Sequence, residues 1–166
     1  MVESAKAPLQ FLTESNLRHG FDLLVIGYKH YRDGLDDELA KAGLGQAHHR
    51  AIYFIRQSPN LSPGELTELL GVSKQSLYRV MVDLRDNGFV AEKRNGKDGR
   101  AKHLYLTDEG LKLEQRLFES SKARMKTAYS KVGPDAVQGF WNILHLLAGE
   151  GQNSAYEALQ SYRTKL

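Results

Sequence analysis

Residues 61–90 read LSPGELTELLGVSKQSLYRVMVDLRDNGFV. Ser62 stands where an N-cap belongs, Pro63 fits the first helical position, and Glu65 completes a Ser-x-x-Glu capping box. Leu66, Leu69 and Leu70 form a buried stripe, and Gly71 falls at the C′ position that ends a helix. Two residues later Ser73 caps a new helix, in which Leu77, Val80, Met81 and Leu84 recur at offsets 0, 3, 4 and 7. Gly88 ends it. Two short helices joined at Gly71-Val72-Ser73 predict a helix-turn-helix. A plain helical corner has the same pattern, so the outer face of the second helix has to decide.

That face is polar. With Leu77 to Leu84 turned inward, Gln75, Arg79, Val82 and Asp86 project outward, and Lys74, Ser76 and Tyr78 flank them in the first turn or so. Side chains that donate and accept, set at a helix N-terminus, are what reading base edges requires. Gln can pair bidentately with adenine and Arg with guanine. Ser73 and the unpaired N–H groups of the first turn suit phosphate. A merely solvated helix more often carries Glu–Lys pairs four apart, and this face has none. The predicted reading residues are Ser73, Lys74, Gln75, Ser76, Tyr78 and Arg79.

Just downstream, FVAEKR and KHLYLT flank NGKDGRA, two strand patterns around the turn pairs Asn95-Gly96 and Asp98-Gly99. A basic hairpin directly after a reading helix is a wing. From Phe89 to Tyr105 five cations face two carboxylates, a net +3 that equals the formal charge of all 166 residues. Such clustering points to an anionic partner, double-stranded DNA first. Lys93, Arg94, Lys97 and Lys102 are expected to neutralise phosphate, and Arg100 to reach a narrow minor groove from the tip. Asp98 either orients Arg100 or closes an Asx turn with Gly99.

Residues 1–12 lack a pattern and read as an arm. Over 13–44, Leu17, Phe21, Leu24, Tyr28, Tyr31, Leu35 and Leu39 recur in steps of three and four, close to a heptad seam. One long helix is predicted, tolerating Gly20, Gly27 and Gly34 at about 1 kcal/mol each. So long a stripe needs a long partner, in this chain or a second copy. A helix over about 46–56 follows, stopped by QSPN. Thr107 caps a further helix, with Asp108 and Glu109 at its positive end, running to about Val132. Pro134 opens another, with Val137, Phe140, Trp141, Leu144 and Leu147 on one face. GEGQNS (149–154) is expected to break it before a last piece bearing Tyr156, Leu159 and Tyr162. The predicted fold class is mainly α with a small β-hairpin wing. A winged helix-turn-helix lobe (45–106) joins a helical dimerisation region made of 13–44 and 107–166.

This order of elements resembles the MarR family of bacterial winged-helix regulators. The residues that carry the resemblance are 61–90, quoted above, and DGRAKHLYLTDEG (98–110). The family's wing shows Asp-Arg-Arg, then an apolar pair ending in Leu-Thr, then Gly. Asp98, Arg100, Leu104, Leu106, Thr107 and Gly110 match, while Gly99 replaces the first arginine. The resemblance spans residues 12–150. It implies a homodimer held by Leu17, Phe21, Leu24, Phe140, Trp141 and Leu144, although an intrachain bundle core would use the last three equally well. It also implies a pseudo-palindromic operator with half-sites about one helical turn apart, and repression as the usual mode. A small aromatic or phenolic effector would sit among Tyr28, Tyr31, His48, Arg50 and Tyr53, unless these simply pack the core or lie on the surface.

Other functions fare worse. The chain has no cysteine, which excludes disulfides, thiolate zinc sites and thiol redox sensing by these residues. His48, His49, Asp37 and Glu38 are potential metal donors, but no histidine pair has i, i+4 spacing, and neither metal nor cofactor is expected. No phosphate loop, nucleophile elbow or zincin motif appears, so no enzyme is predicted. Apolar runs as short as Leu23 to Ile26 cannot span a bilayer, the N-terminus lacks a signal h-region, and the cytoplasm is the expected location. The rival is a winged-helix protein-interaction module, which would have no use for five cations on one hairpin.

Overall fold

The computed structural model describes residues 11–58, 60–94 and 102–163, with the side chains of Arg94 and of 149–163 excepted. Helix α1 (Glu14–Lys41) is followed by α2 (Gln46–Gln57), α3 (Pro63–Leu70) and α4 (Lys74–Asp86). Strands β1 (Val90–Arg94) and β2 (Lys102–Leu106) then pair, and α5 (Asp108–Val132) and α6 (Pro134–Arg163) complete the chain. This is the mainly helical class with one small antiparallel hairpin that the sequence predicts.

The caps form as their residues dictate. Ser62 Oγ accepts from the Glu65 N–H at 3.2 Å, and a Glu65 carboxylate oxygen accepts from the Ser62 N–H at 2.8 Å. Gly71 closes α3 at φ +63°, a left-handed conformation that costs a residue without a Cβ little. Ser73 Oγ accepts from the Ser76 N–H at 3.1 Å and so starts α4. These local bonds set the angle between α3 and α4 before any long-range contact is counted.

The hairpin pairs Val90 with Leu106, Glu92 with Leu104 and Arg94 with Lys102. Side chains alternate along a strand, so Val90 and Glu92 share one face with Leu104 and Leu106. That face is inward: Val90, Leu104 and Leu106 are buried. The Leu104 N–H donates to the Leu61 carbonyl at 2.8 Å, which ties β2 to the segment entering α3. Below the wing, Thr107 Oγ1 accepts from the Gly110 N–H at 3.1 Å and donates to the Gly88 carbonyl at 2.6 Å. Gly110 is buried against Phe89: a Cβ there would lie 2.0 Å from the Phe89 carbonyl oxygen.

One hydrophobic core unites the lobe. It gathers Ile52 and Ile55 of α2, Leu66 and Leu70 of α3, Leu77, Met81 and Leu84 of α4, and the inner hairpin face. It also takes Leu35 and Leu39 from α1 and Leu113 and Leu117 from α5. The predicted seam therefore splits. Its C-terminal end belongs to the lobe, while Leu17, Phe21, Leu24 and Tyr28 are exposed in the chain, Phe21 at 71%. Helices α1 and α5 cross where Gly34 faces Ser120 and Arg124, with Arg124 donating to the His30 carbonyl.

One expectation fails. GEGQNS (149–154) does not interrupt a helix, for α6 continues through it to Arg163. Glycine lowers helix propensity by about 1 kcal/mol but removes no hydrogen bond, unlike proline, and an established helix propagates through it.

Candidate nucleic-acid interface

Helix α4 presents its polar N-terminal half to solvent. Ser73, Lys74, Gln75, Ser76, Tyr78 and Arg79 are all exposed, Tyr78 at 64% despite its ring. Leu77, Met81 and Leu84 hold the helix by the opposite face. Ser73 is occupied in part, because its Oγ is the cap of α4 and lies 2.9 Å from Ser76 Oγ. At the far end of the helix the outward residues are acidic. Asp83 accepts from His48 at 3.0 Å (the Gly45 N–H donates to His48 Nδ1, leaving Nε2 to carry the proton). Arg50 donates to the Leu70 carbonyl at 2.7 Å. Helix α2 thus braces both members of the helix-turn-helix.

The wing root meets the same helix. Arg85, near the C-terminal end of α4, donates from Nη1 to Glu92 Oε1 at 2.5 Å and from Nε to the Met81 carbonyl at 3.1 Å. Lys102 Nζ reaches the other Glu92 oxygen at 3.0 Å. Glu92 is thereby held below the usual carboxylate range, chiefly by Lys102 and then by Arg85, against the opposing effect of burial. A groove of about 430 Å³ runs between these residues and the start of α4, edged by Lys74, Tyr78, Arg85 and Lys102 and floored by Leu77 and Met81. Lys93 lies on the other face of the hairpin, its ammonium 4.6 Å from the centre of the Tyr105 ring. Arg94 sits at the end of β1, paired in register with Lys102. Lys97, Asp98 and Arg100 lie outside the described residues.

The five effector candidates do not converge. Tyr31 and Tyr53 line one small cavity of about 30 Å³ with Glu114 and Phe118, but the histidine beside them is His49. His48 and Arg50 face the helix-turn-helix instead, and Tyr28 is exposed and stacked on Tyr31 at 6.3 Å. Burial raises Glu114, with Arg56 at 3.8 Å opposing, and burial lowers His49, with Asp36 opposing. Of the interface candidates, Leu17, Phe21, Leu24, Phe140, Trp141 and Leu144 are all exposed in the chain. Among the described residues no cluster of three or more His, Asp or Glu could hold a metal, and no helix is long and apolar enough to cross a membrane.

Two links escape the sequence reading: His48 to Asp83, and Arg85 to Glu92 to Lys102. The first spans 35 residues and has no local signal. The second was legible in principle, since alternation from the apolar Val90 already turns Glu92 inward.

A capped helix pair, a polar helix face and a hairpin bearing cations define a winged helix-turn-helix protein. Residues 42–101 match the model of the MarR family. The chain is 39% identical over 152 residues to the HTH-type transcriptional regulator PetP of Rhodobacter capsulatus, covering 92% of each protein. Among solved structures it is similar to Staphylococcus aureus MarR in complex with salicylate and kanamycin, at 17% identity and TM-score 0.68, over 82% of this chain and 95% of that one. It is also similar to a mutant of S. aureus MepR bound to an oligodeoxyribonucleotide, at 15% identity and TM-score 0.56, over 78% of this chain and 96% of that one. The chain belongs to the MarR family of helix-turn-helix transcriptional regulators.

Proposed function

We propose that this regulator is a cytoplasmic homodimeric repressor that binds a pseudo-palindromic operator. Helix α4 enters the major groove, with Gln75, Ser76, Tyr78 and Arg79 at base edges and Ser73 and Lys74 on the flanking phosphates. Lys93, Arg94, Lys97 and Arg100 place the wing on the neighbouring backbone and minor groove, with Asp98 orienting Arg100. The observation that carries this reading is the exposed polar face from Ser73 to Arg79, on a helix whose other face is fully used in the core. The dimer takes its support from the apolar residues that α1 and α6 leave exposed, among them Trp141 at 50% and Leu24 at 44%.

A small aromatic or phenolic acid is the effector class we assign, on the precedent of the salicylate complex of S. aureus MarR. The cavity beside Tyr31 and Tyr53 is of water size as it stands, far below the roughly 300 Å³ of a ligand site. Binding there requires the cavity to widen.

Selection of bound duplexes from a random pool tests the reading. It should yield an inverted repeat whose half-sites are about one helical turn apart, bound by two chains. Recovery of no sequence preference, with binding that is insensitive to salt, would favour the protein-interaction role instead.

A further inference from the structure

The two described lysines of the wing are not equivalent. Lys93 lies on the outer face of the hairpin over the Tyr105 ring, and no carboxylate among the described residues is within ion-pair distance of it. Lys102 lies on the inner face, bonded to Glu92 at 3.0 Å. The other oxygen of Glu92 takes Arg85 at 2.5 Å, and Arg85 is fixed from behind by the Met81 carbonyl. Glu92 is only 20% exposed, and its strand neighbour Val90 is in the core, so the carboxylate cannot turn outward without lifting β1.

We propose that Glu92 is a specificity-determining positioning residue for DNA binding, which withholds Lys102 and Arg85 from phosphate and locks the wing root to the recognition helix. The inference rests on the DNA-binding reading above. A cation already paired within the protein releases no counterion from DNA unless that pair breaks, whereas a free cation adds about 0.9 to the slope of log affinity against log salt. That electrostatic contribution is the same for every sequence. Withholding two cations therefore weakens binding to random DNA, while α4, held at a fixed angle to the wing, keeps its contacts with operator bases. The sequence-based expectation that Lys102 neutralises phosphate changes accordingly.

The test uses the full chain, an operator duplex recovered by selection and a scrambled duplex of equal length, titrated by fluorescence anisotropy between about 50 and 200 mM salt. Glu92→Gln should steepen the slope on scrambled DNA by about 1.8 for each cation freed per wing, because the proposed dimer carries two wings, an extra loss of about 12-fold across that range, and should tighten binding at the low-salt end. Operator affinity should stay level or fall, so the ratio of operator to scrambled affinity drops about threefold or more. Lys102→Gln should change the slope by less than about 0.6, while Lys93→Gln, lost from both wings of the proposed dimer, should make it shallower by about 1.8. An unchanged slope and ratio for Glu92→Gln overturns the assignment, as does a Lys102→Gln slope equal to that of Lys93→Gln. If Glu92→Gln does not fold, judged by thermal unfolding, the comparison of the two lysine variants decides alone. Wild-type protein without salt dependence or sequence preference overturns the DNA-binding reading and this assignment with it. Selective, salt-dependent wild-type binding beside an unchanged Glu92→Gln overturns the assignment only.

Discussion

Replacing Gly110 by alanine puts a methyl group where the chain has none to spare. The added Cβ would lie 2.0 Å from the Phe89 carbonyl oxygen and 3.3 Å from Leu106 Cβ. The first contact must open by more than an ångström to reach ordinary packing distance. The obstacle is backbone, so no rotamer change relieves it. The same Phe89 oxygen accepts from the Thr107 N–H at 3.0 Å, and Thr107 also holds the Gly88 carbonyl. Moving Phe89 away therefore loosens the joint between β1, β2 and α5. Overpacking costs about 1–3 kcal/mol, the threatened hydrogen bond about 1 kcal/mol, and the better helix propensity of alanine returns about 1 kcal/mol. Because the clash is with a carbonyl, we expect the upper part of the range, a net loss of about 3 kcal/mol. For a chain of this size that lowers Tm by roughly 6–12 °C. Thermal unfolding at one fixed protein concentration measures it, since the proposed dimerisation would make Tm concentration-dependent. Gly64→Ala is the control, as its Cβ would meet nothing nearer than Ser62 Oγ at 3.9 Å and should gain up to about 1 kcal/mol. A Gly110→Ala protein that melts with wild type, or above it, would show that the Phe89 carbonyl yields without cost.

Three further outcomes are expected. Arg79→Ala should cost roughly 1–3 kcal/mol on the operator and little on scrambled DNA, and equal losses on both in an anisotropy titration would reassign Arg79 to phosphate. Leu24→Glu should turn a dimer into a monomer in sedimentation velocity, and a variant that stays dimeric would remove this end of α1 from the interface. Glu114→Gln should raise Tm at neutral pH. Burial lifts this carboxyl above its ordinary value of 4.5, so the folded chain holds the proton more tightly than the unfolded chain, and stability falls as pH rises through the raised value. The advantage of glutamine should vanish below about pH 4, where both states are protonated. A pH-independent difference would deny the role of burial.

The helix-turn-helix was legible because its signals are local. Ser62, Glu65, Gly71 and Ser73 each act on backbone groups within four residues, and the structure repeats them bond for bond. The matching Leu106, Thr107 and Gly110 likewise acquire a physical reason, a cap and a close approach beneath the wing. What periodicity could not supply was the destination of an apolar face. Leu17 and Leu35 belong to one seam in sequence, yet only Leu35 meets the lobe core. Nor does a run of cations record which of them is already partnered. Lys93 and Lys102 look alike in sequence, and only the register of β1 on β2 separates them. The break expected near Gly149 does not form, because the glycines of GEGQNS lower helix propensity without removing a hydrogen bond.

The bolted joint under the wing makes α5 a lever. Its first turn is tied to Gly88 and Phe89, and its fulcrum is the crossing of Gly34 with Ser120, about twelve residues or 18 Å along the helix axis. A tilt of about 10° there would swing the wing root by roughly 3 Å, close to the 3.4 Å rise of one base pair. On the proposed dimer, the angular stiffness of that crossing would set how much spacing error between half-sites the protein can absorb.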